Sequence, residues 1–183
     1  MNCTTRPTCL LLLLFFIVII GQKANSQAKF SNPQKSITAY TESNGHYKTL
    51  LSAFKAADLD KILNEDGPFT VFAPSDQAFG KLSKEIVAQL LKPESKRELQ
   101  SLLTYHIVAG SLSAATILKA MCRGEGKASF TTVQGEEIIA TMKGIDIVLT
   151  DNNGNSAIIT TADANQCNGV IYEIDSVILP GKI

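Results

Sequence analysis

The chain has 183 residues, 17 basic against 17 acidic side chains, two histidines, four cysteines and no tryptophan. Scattered cations on a neutral chain give no phosphate-tracking groove, and no base-stacking platform is suggested, so nucleic acid is excluded as an expected partner. The length suits one domain with a single sizeable core.

The first segment reads as an address. Arg6 supplies positive charge, Leu10 to Ile20 is an apolar run of 11 residues, and Ala24-Asn25-Ser26 offers small residues at the positions a signal peptidase reads. A membrane-spanning helix needs about 20 apolar residues. Residues 1–26 are therefore expected to be a signal peptide cleaved after Ser26. The C-terminal Leu179-Pro180-Gly181-Lys182-Ile183 has no hydrophobic tail for a glycolipid anchor. The expected product is secreted and extracellular, or periplasmic or at the cell surface if bacterial, with no stable membrane insertion.

Cleavage removes Arg6 and Lys23, leaving 15 basic against 17 acidic residues, a net charge of −2. Cys3 and Cys9 leave as well. Cys122 and Cys167 remain as an even pair in a chain bound for an oxidising compartment, which predicts a Cys122–Cys167 disulfide worth about 3 to 4 kcal/mol. The alternative is two separate buried thiols.

Residues 27–32 are expected to be a flexible N-terminus, with the folded domain over 33–181. Asn32-Pro33 predicts a helix from Pro33 to Thr41. Tyr47, Leu50, Leu51 and Phe54 follow at i, i+3, i+4 and i+7, the spacing of a helix with one buried face. Leu59 to Asn64 predicts one more helical turn, stopped by Gly67-Pro68.

Gly67 to Phe79, GPFTVFAPSDQAF, reads as a buried strand running into a helix. Phe69, Val71 and Ala73 alternate with Thr70, Phe72 and Pro74, Pro74 ends the strand, and Ser75 is placed as N-cap with Asp76 at the positive end of the helix dipole. Helices over Lys84–Leu91 and Pro93–Ile107 come next, the latter with Leu99, Leu102, Leu103 and His106 on one stripe. Ser113 caps a further helix, Ala114–Ala120.

Beyond Gly124 and Gly126 the period becomes strand-like: Ser129–Val133, Glu137–Met142, Ile145–Thr150, Ala157–Thr161, then NGVIYEID from Asn168. Turns at Gln134-Gly135, Lys143-Gly144 and Asp151–Gly154 mark a meander of hairpins. Helices early and strands late predict an α+β fold, helices packed against a largely antiparallel sheet system.

TVFAPSDQAF, the pair Tyr105-His106 and NGVIYEID, in that order, resemble the signature of the fasciclin domain. The similarity spans about Pro33 to Pro180. It implies a wedge of two β-sheets with a helical layer packed against it. It also implies adhesion to cell-surface or matrix proteins or glycans, since the family's Tyr-His pair is linked to cell attachment through integrins. Tyr105 and His106 match that pair. Asp163 matches the first member of a second adhesion element, an Asp-Ile pair, but Ala164 replaces its isoleucine. The closing block departs too, with Tyr172 where histidine is common and Cys167 where threonine is common. His106 has a second reading as a core histidine bonded to backbone, because it lies on a leucine stripe.

No catalytic constellation is legible. Two distant histidines give no zinc spacing. Asp151, Asn153 and Asn155 imitate the start of a calcium loop, but Ser156 and Ala162 stand where it needs glycine and glutamate. Glu94 and Glu98, with Lys96 and Arg97 among them, read as a solvated helix face. No enzyme, metal or cofactor is expected. The runner-up function is a carrier of an apolar small molecule, because some fasciclin-domain proteins resemble water-soluble pigment binders.

Overall fold

The computed structural model describes residues 35–179, which lie within one unit, Pro33–Ile183. The signal peptide expected over 1–26 and the flexible stretch expected over 27–32 lie outside the described residues.

Ser36 caps the first helix among the described residues, α1 (Ile37–Ser43), its hydroxyl accepting the Ala39 N–H at 3.1 Å, while the start expected at Asn32-Pro33 lies outside the described residues. α2 (Lys48–Ala56) buries Leu50, Ala53 and Phe54 with the flanking Tyr47 and Ala57, while Leu51 is half-buried. The turn expected near Leu59 forms slightly later as α3 (Ile62–Glu65). β1 (Phe69–Pro74) follows, then α4 (Asp76–Phe79), whose cap Ser75 accepts the Ala78 N–H as the sequence implied. α5 (Lys84–Leu90), a short 3-10 turn (Pro93–Ser95) and α6 (Lys96–Tyr105) complete the helical layer.

The helix expected to reach Ile107 ends two residues earlier. Ile107–Ala109 is instead β2, antiparallel to β1 with Val71 opposite Ile107, a placement suited to the β-branched Ile107-Val108 pair. α7 (Ala114–Arg123) is capped by Ser113 and runs one turn past its expected end. The strands β3 (Lys127–Thr131), β4 (Glu137–Lys143), β5 (Asp146–Thr150), β6 (Ser156–Gln166) and β7 (Gly169–Ile174) then form the expected hairpins.

The seven strands lie in the order β2-β1-β7-β6-β5-β4-β3. A bridge between Val108 and Thr132, with the Val133 N–H on the Ile107 carbonyl at 2.7 Å, brings the last strand back towards the first, so the sheet is nearly a barrel. Register shifts in β6 at Thr161 let one strand serve both halves of the sheet. The sheet is largely antiparallel, as expected, with one parallel pair among the described strands, β1 and β7, Phe69 opposite Gly169 through Pro74 opposite Ile174.

These central strands are buried on both faces, and their alternation divides the interior in two. Val71, Ala73 and Ile171 face a core built with Ile37, Leu50, Phe54, Leu63, Leu99, Leu102 and Leu103 of the helices. Phe72, Val170, Tyr172 and Ile174 face the barrel side, packed with Tyr105, Ile117, Met121, Ile138 and Leu149. Asn168 ties the entry of β7 to the helical layer: its amide oxygen accepts the free Ile37 N–H at 2.9 Å, and its amide nitrogen donates to the Leu63 and Asp66 carbonyls, both at 2.8 Å.

Candidate functional site

The Tyr-His pair sits where α6 gives way to β2, and neither side chain reaches the surface. Tyr105 is fully buried on the barrel side and its hydroxyl donates to the Glu137 carbonyl at 2.9 Å. Burial, then the charges of Asp151 and Glu136, pushes its pKa well above the usual tyrosine range. His106 is 2 % exposed. Its Nδ1 lies 2.8 Å from the Leu102 carbonyl and its Nε2 accepts the Ile178 N–H at 3.2 Å. These partners assign the proton to Nδ1 and make the ring neutral, and burial lowers its pKa to about 4 against the opposing pull of the Leu102 carbonyl. The ring thus satisfies one carbonyl near the end of α6 and one N–H of the closing segment, as a core histidine does.

Asp163 lies on β6 between the register shifts at Thr161 and Ala164. The hydrogen bonds of Tyr105 and His106 go to Glu137, Leu102 and Ile178, so none of them joins the pair to β6. Asp151 uses its carboxylate on its own hairpin, accepting the Asn153 and Asn155 N–H groups at 2.8 Å and the Asn155 amide at 2.7 Å. Glu94 and Glu98 are exposed, and Lys96 pairs with Asp58. Among the described residues no group of three or more histidine, cysteine or acidic side chains is placed to hold a metal ion.

The disulfide expected between Cys122 and Cys167 is not formed; both are free, exposed thiols. Cys122 rides on α7, which packs mainly on β3 and β4. Cys167 lies in the β6–β7 turn, its N–H on the Lys35 carbonyl at 2.9 Å. A bridge needs Cα atoms within about 7 Å and converging Cβ vectors, and even cysteine number alone says nothing of either.

A recess that local sequence reading missed lies at the C-terminal ends of β1 and β7. Its volume is 270 Å³, and Gly45, His46, Ser75, Asp76, Gln77 and Glu173 line it. Tyr47, at the N-cap of α2, supplies no capping hydrogen bond. Asp76 does so from another element, its carboxylate accepting the Lys48 N–H at 3.2 Å and the Thr49 N–H at 2.8 Å, while its own N–H donates to the His46 carbonyl at 2.8 Å. Glu173 accepts the hydroxyls of Tyr47 at 3.0 Å and Thr160 at 3.2 Å. Burial and that Glu173 contact push the Tyr47 pKa upward. Neither carboxylate is in an ion pair among the described residues. The recess therefore presents negative charge and hydrogen-bonding groups to solvent. The sequence signal for it was the outward position of Glu173 on a strand otherwise buried.

Beside it, across Asp76, a groove of 410 Å³ runs between α2, α4 and α5, with Phe79, Leu82, Val87 and Leu91 along it. It is mostly apolar.

Residues 45–180 match the family model described as the fasciclin domain. Protein sll1483 of Synechocystis sp. is 39 % identical over 162 residues, covering 88 % of this chain and 79 % of that protein. Immunogenic protein MPB70 of Mycobacterium bovis is 31 % identical over 147 residues, covering 78 % of this chain and 68 % of that protein. Among solved structures, the FAS1 domain pair from the insect cell adhesion molecule Fasciclin I superposes with a TM-score of 0.72 at 19 % identity. That match covers 82 % of this chain, which spans 52 % of the solved chain, and at such identity it speaks for the fold. The signature blocks on β1 and β7, the architecture they centre, and a family match over three quarters of the sequence place this chain in the fasciclin domain family.

Proposed function

We propose that the protein is a secreted, non-catalytic binding module that attaches to proteins or glycans at a cell surface or in an extracellular matrix. The observation that carries this reading is the open recess of His46, Asp76, Gln77 and Glu173, which presents two carboxylates without a cationic partner among the described residues. Its rim fits a partner's basic or hydrogen-bonding groups. The likeness to a domain pair of an insect cell adhesion molecule supports the class of function. Because Tyr105 and His106 are sealed inside, the attachment surface is assigned to the recess and not to that pair.

The test is attachment of cells to the immobilised mature domain, with His46→Ala and Gln77→Arg as variants. Both side chains are exposed or line the rim, so melting temperatures should stay at the wild-type value. Loss of attachment in the variants supports the reading. Attachment that survives both, or that the wild type never shows, refutes it.

The apolar groove favours a second reading, a carrier of an apolar small molecule. Its 410 Å³ falls within the range of about 300 to 1,000 Å³ typical of ligand sites. A reproducible extra mass in native mass spectrometry of the secreted protein would move this reading to first place.

A further inference from the structure

The tip of the β4–β5 hairpin carries Ile145 at 93 % exposure, and Met142, at 43 %, lies on the strand that leads into it. A large aliphatic side chain held this far into water gains nothing for the fold, so its apolar surface is available to something else. The register sets Lys127 opposite Thr141 and Lys143 opposite Asp146, which brings the start of β3 and the hairpin tip to the same end of the sheet. α7 feeds directly into β3 through the turn Gly124–Gly126, so Arg123 adjoins this end and Lys119 stands one helical turn behind it. Lys119, Arg123, Lys127 and Lys143 are all exposed, and none is ion-paired with a carboxylate among the described residues. Glu125 and Asp146 are the acidic residues of the same two turns. The patch therefore stays net positive on a chain whose mature form is net negative.

We propose that this end is a peripheral docking surface for an anionic phospholipid bilayer. Ile145 and Met142 enter the boundary between headgroups and acyl chains, and the four cations lie against headgroup phosphates and carboxylates. The charge pattern alone fits any polyanion, but a hydrated anionic glycan leaves Ile145 in water, whereas a bilayer surface receives both the cations and the aliphatic tip. No helix among the described residues is long and apolar enough to cross a membrane. The contact uses none of the recess residues and stands or falls separately from them.

The experiment is co-sedimentation of the mature domain with vesicles of phosphatidylcholine alone and of phosphatidylcholine mixed with phosphatidylserine. The domain is expected to pellet with the mixed vesicles only. Ile145→Asn, which adds no charge, should lower the partition coefficient about tenfold, and Lys127→Glu or Lys143→Glu at least roughly fivefold each. All three side chains are exposed, so thermal melting serves as the folding control. A wild type that pellets with neither vesicle overturns the proposal. So does binding that Ile145→Asn leaves intact while the lysine variants abolish it and heparin competes it away, a pattern that marks an anionic-glycan surface.

Discussion

Replacing His106 with alanine tests whether the Tyr-His pair is structural. The ring accepts the Ile178 N–H and meets the Leu102 carbonyl, and its deletion strands both inside a core position only 2 % exposed. Two stranded backbone groups and the cavity left behind should together cost about 4 kcal/mol. For a domain of this size that is a fall in melting temperature of about 10 °C. The assay is thermal unfolding followed by circular dichroism at about pH 7.5, above the ordinary histidine range.

The same ring predicts a pH signature. In the folded chain its pKa is lowered to about 4, against an ordinary 6.5 for the unfolded chain. Between those values the unfolded state binds more protons, so the neutral ring's contribution is full above pH 6.5 and is lost as pH falls towards 4. Wild-type stability should be about 2 kcal/mol lower at about pH 5 than at about pH 7.5. His106→Ala should be flat across that interval. Asp175 acts in a separate window: burial opposes its ionisation, but the Ile158 N–H and Lys81 hold its pKa below the usual carboxylate value, so its contribution fades only in stronger acid. A variant that melts within about 2 °C of wild type, or one that keeps the wild-type slope, would refute the argument.

Asp76→Ala should cost about 1 kcal/mol, read as a lower urea midpoint with unchanged slope, because it uncaps α2 from across the recess. Gly169→Ala should be far worse, of order 3 kcal/mol or more: at φ +152° a Cβ would stand 1.9 Å from the Phe69 carbonyl oxygen, inside the β1–β7 pairing; soluble expression with wild-type melting is the outcome that contradicts it. A thiol reagent should modify both Cys122 and Cys167 in the folded mature domain without prior reduction, and modification of neither would reinstate the bridge.

What was legible in the sequence was what local chemistry decides. Gly67-Pro68 and Pro74 bracket β1, Ser75 and Ser113 cap the helices that follow, and the glycine turns at Gly135, Gly144 and Gly154 separate the hairpins, each with positive φ as such turns require. What was not legible depends on partners distant in sequence. β2 is three residues long, and pairing with β1 makes it a strand when the leucine stripe before it argues helix. The parallel union of β1 with β7 joins positions about a hundred residues apart, which periodicity cannot register. Asp76 looked like the first turn of its own helix, yet its carboxylate serves α2, 27 and 28 positions away. The cysteine pairing failed for the same reason: composition constrained its parity and left its geometry free.

The division between signature and surface follows from this architecture. β1 and β7 carry the two signature blocks and are the only parallel neighbours in the described sheet, so each must be fitted to the other along its full length. Phe72 and Tyr172, opposite one another with ring centroids 5.8 Å apart, seal the barrel side, and Asn168 binds the entry of β7 to α1 and α3. Tyr105 packs in the barrel-side core, and His106 ties the Leu102 carbonyl to the Ile178 N–H. Residues so committed to holding the strands together have no free polar atoms to offer a partner; Tyr172 itself donates its hydroxyl to the Leu112 carbonyl at 2.7 Å. Recognition is therefore expected at outward positions, inside the signature blocks as well as beyond them. In the two proposed surfaces these are the exposed His46 and Gln77 of the recess, the latter inside the first block, and the hairpin tip at Ile145, outside both, where substitution should change binding and leave the fold alone.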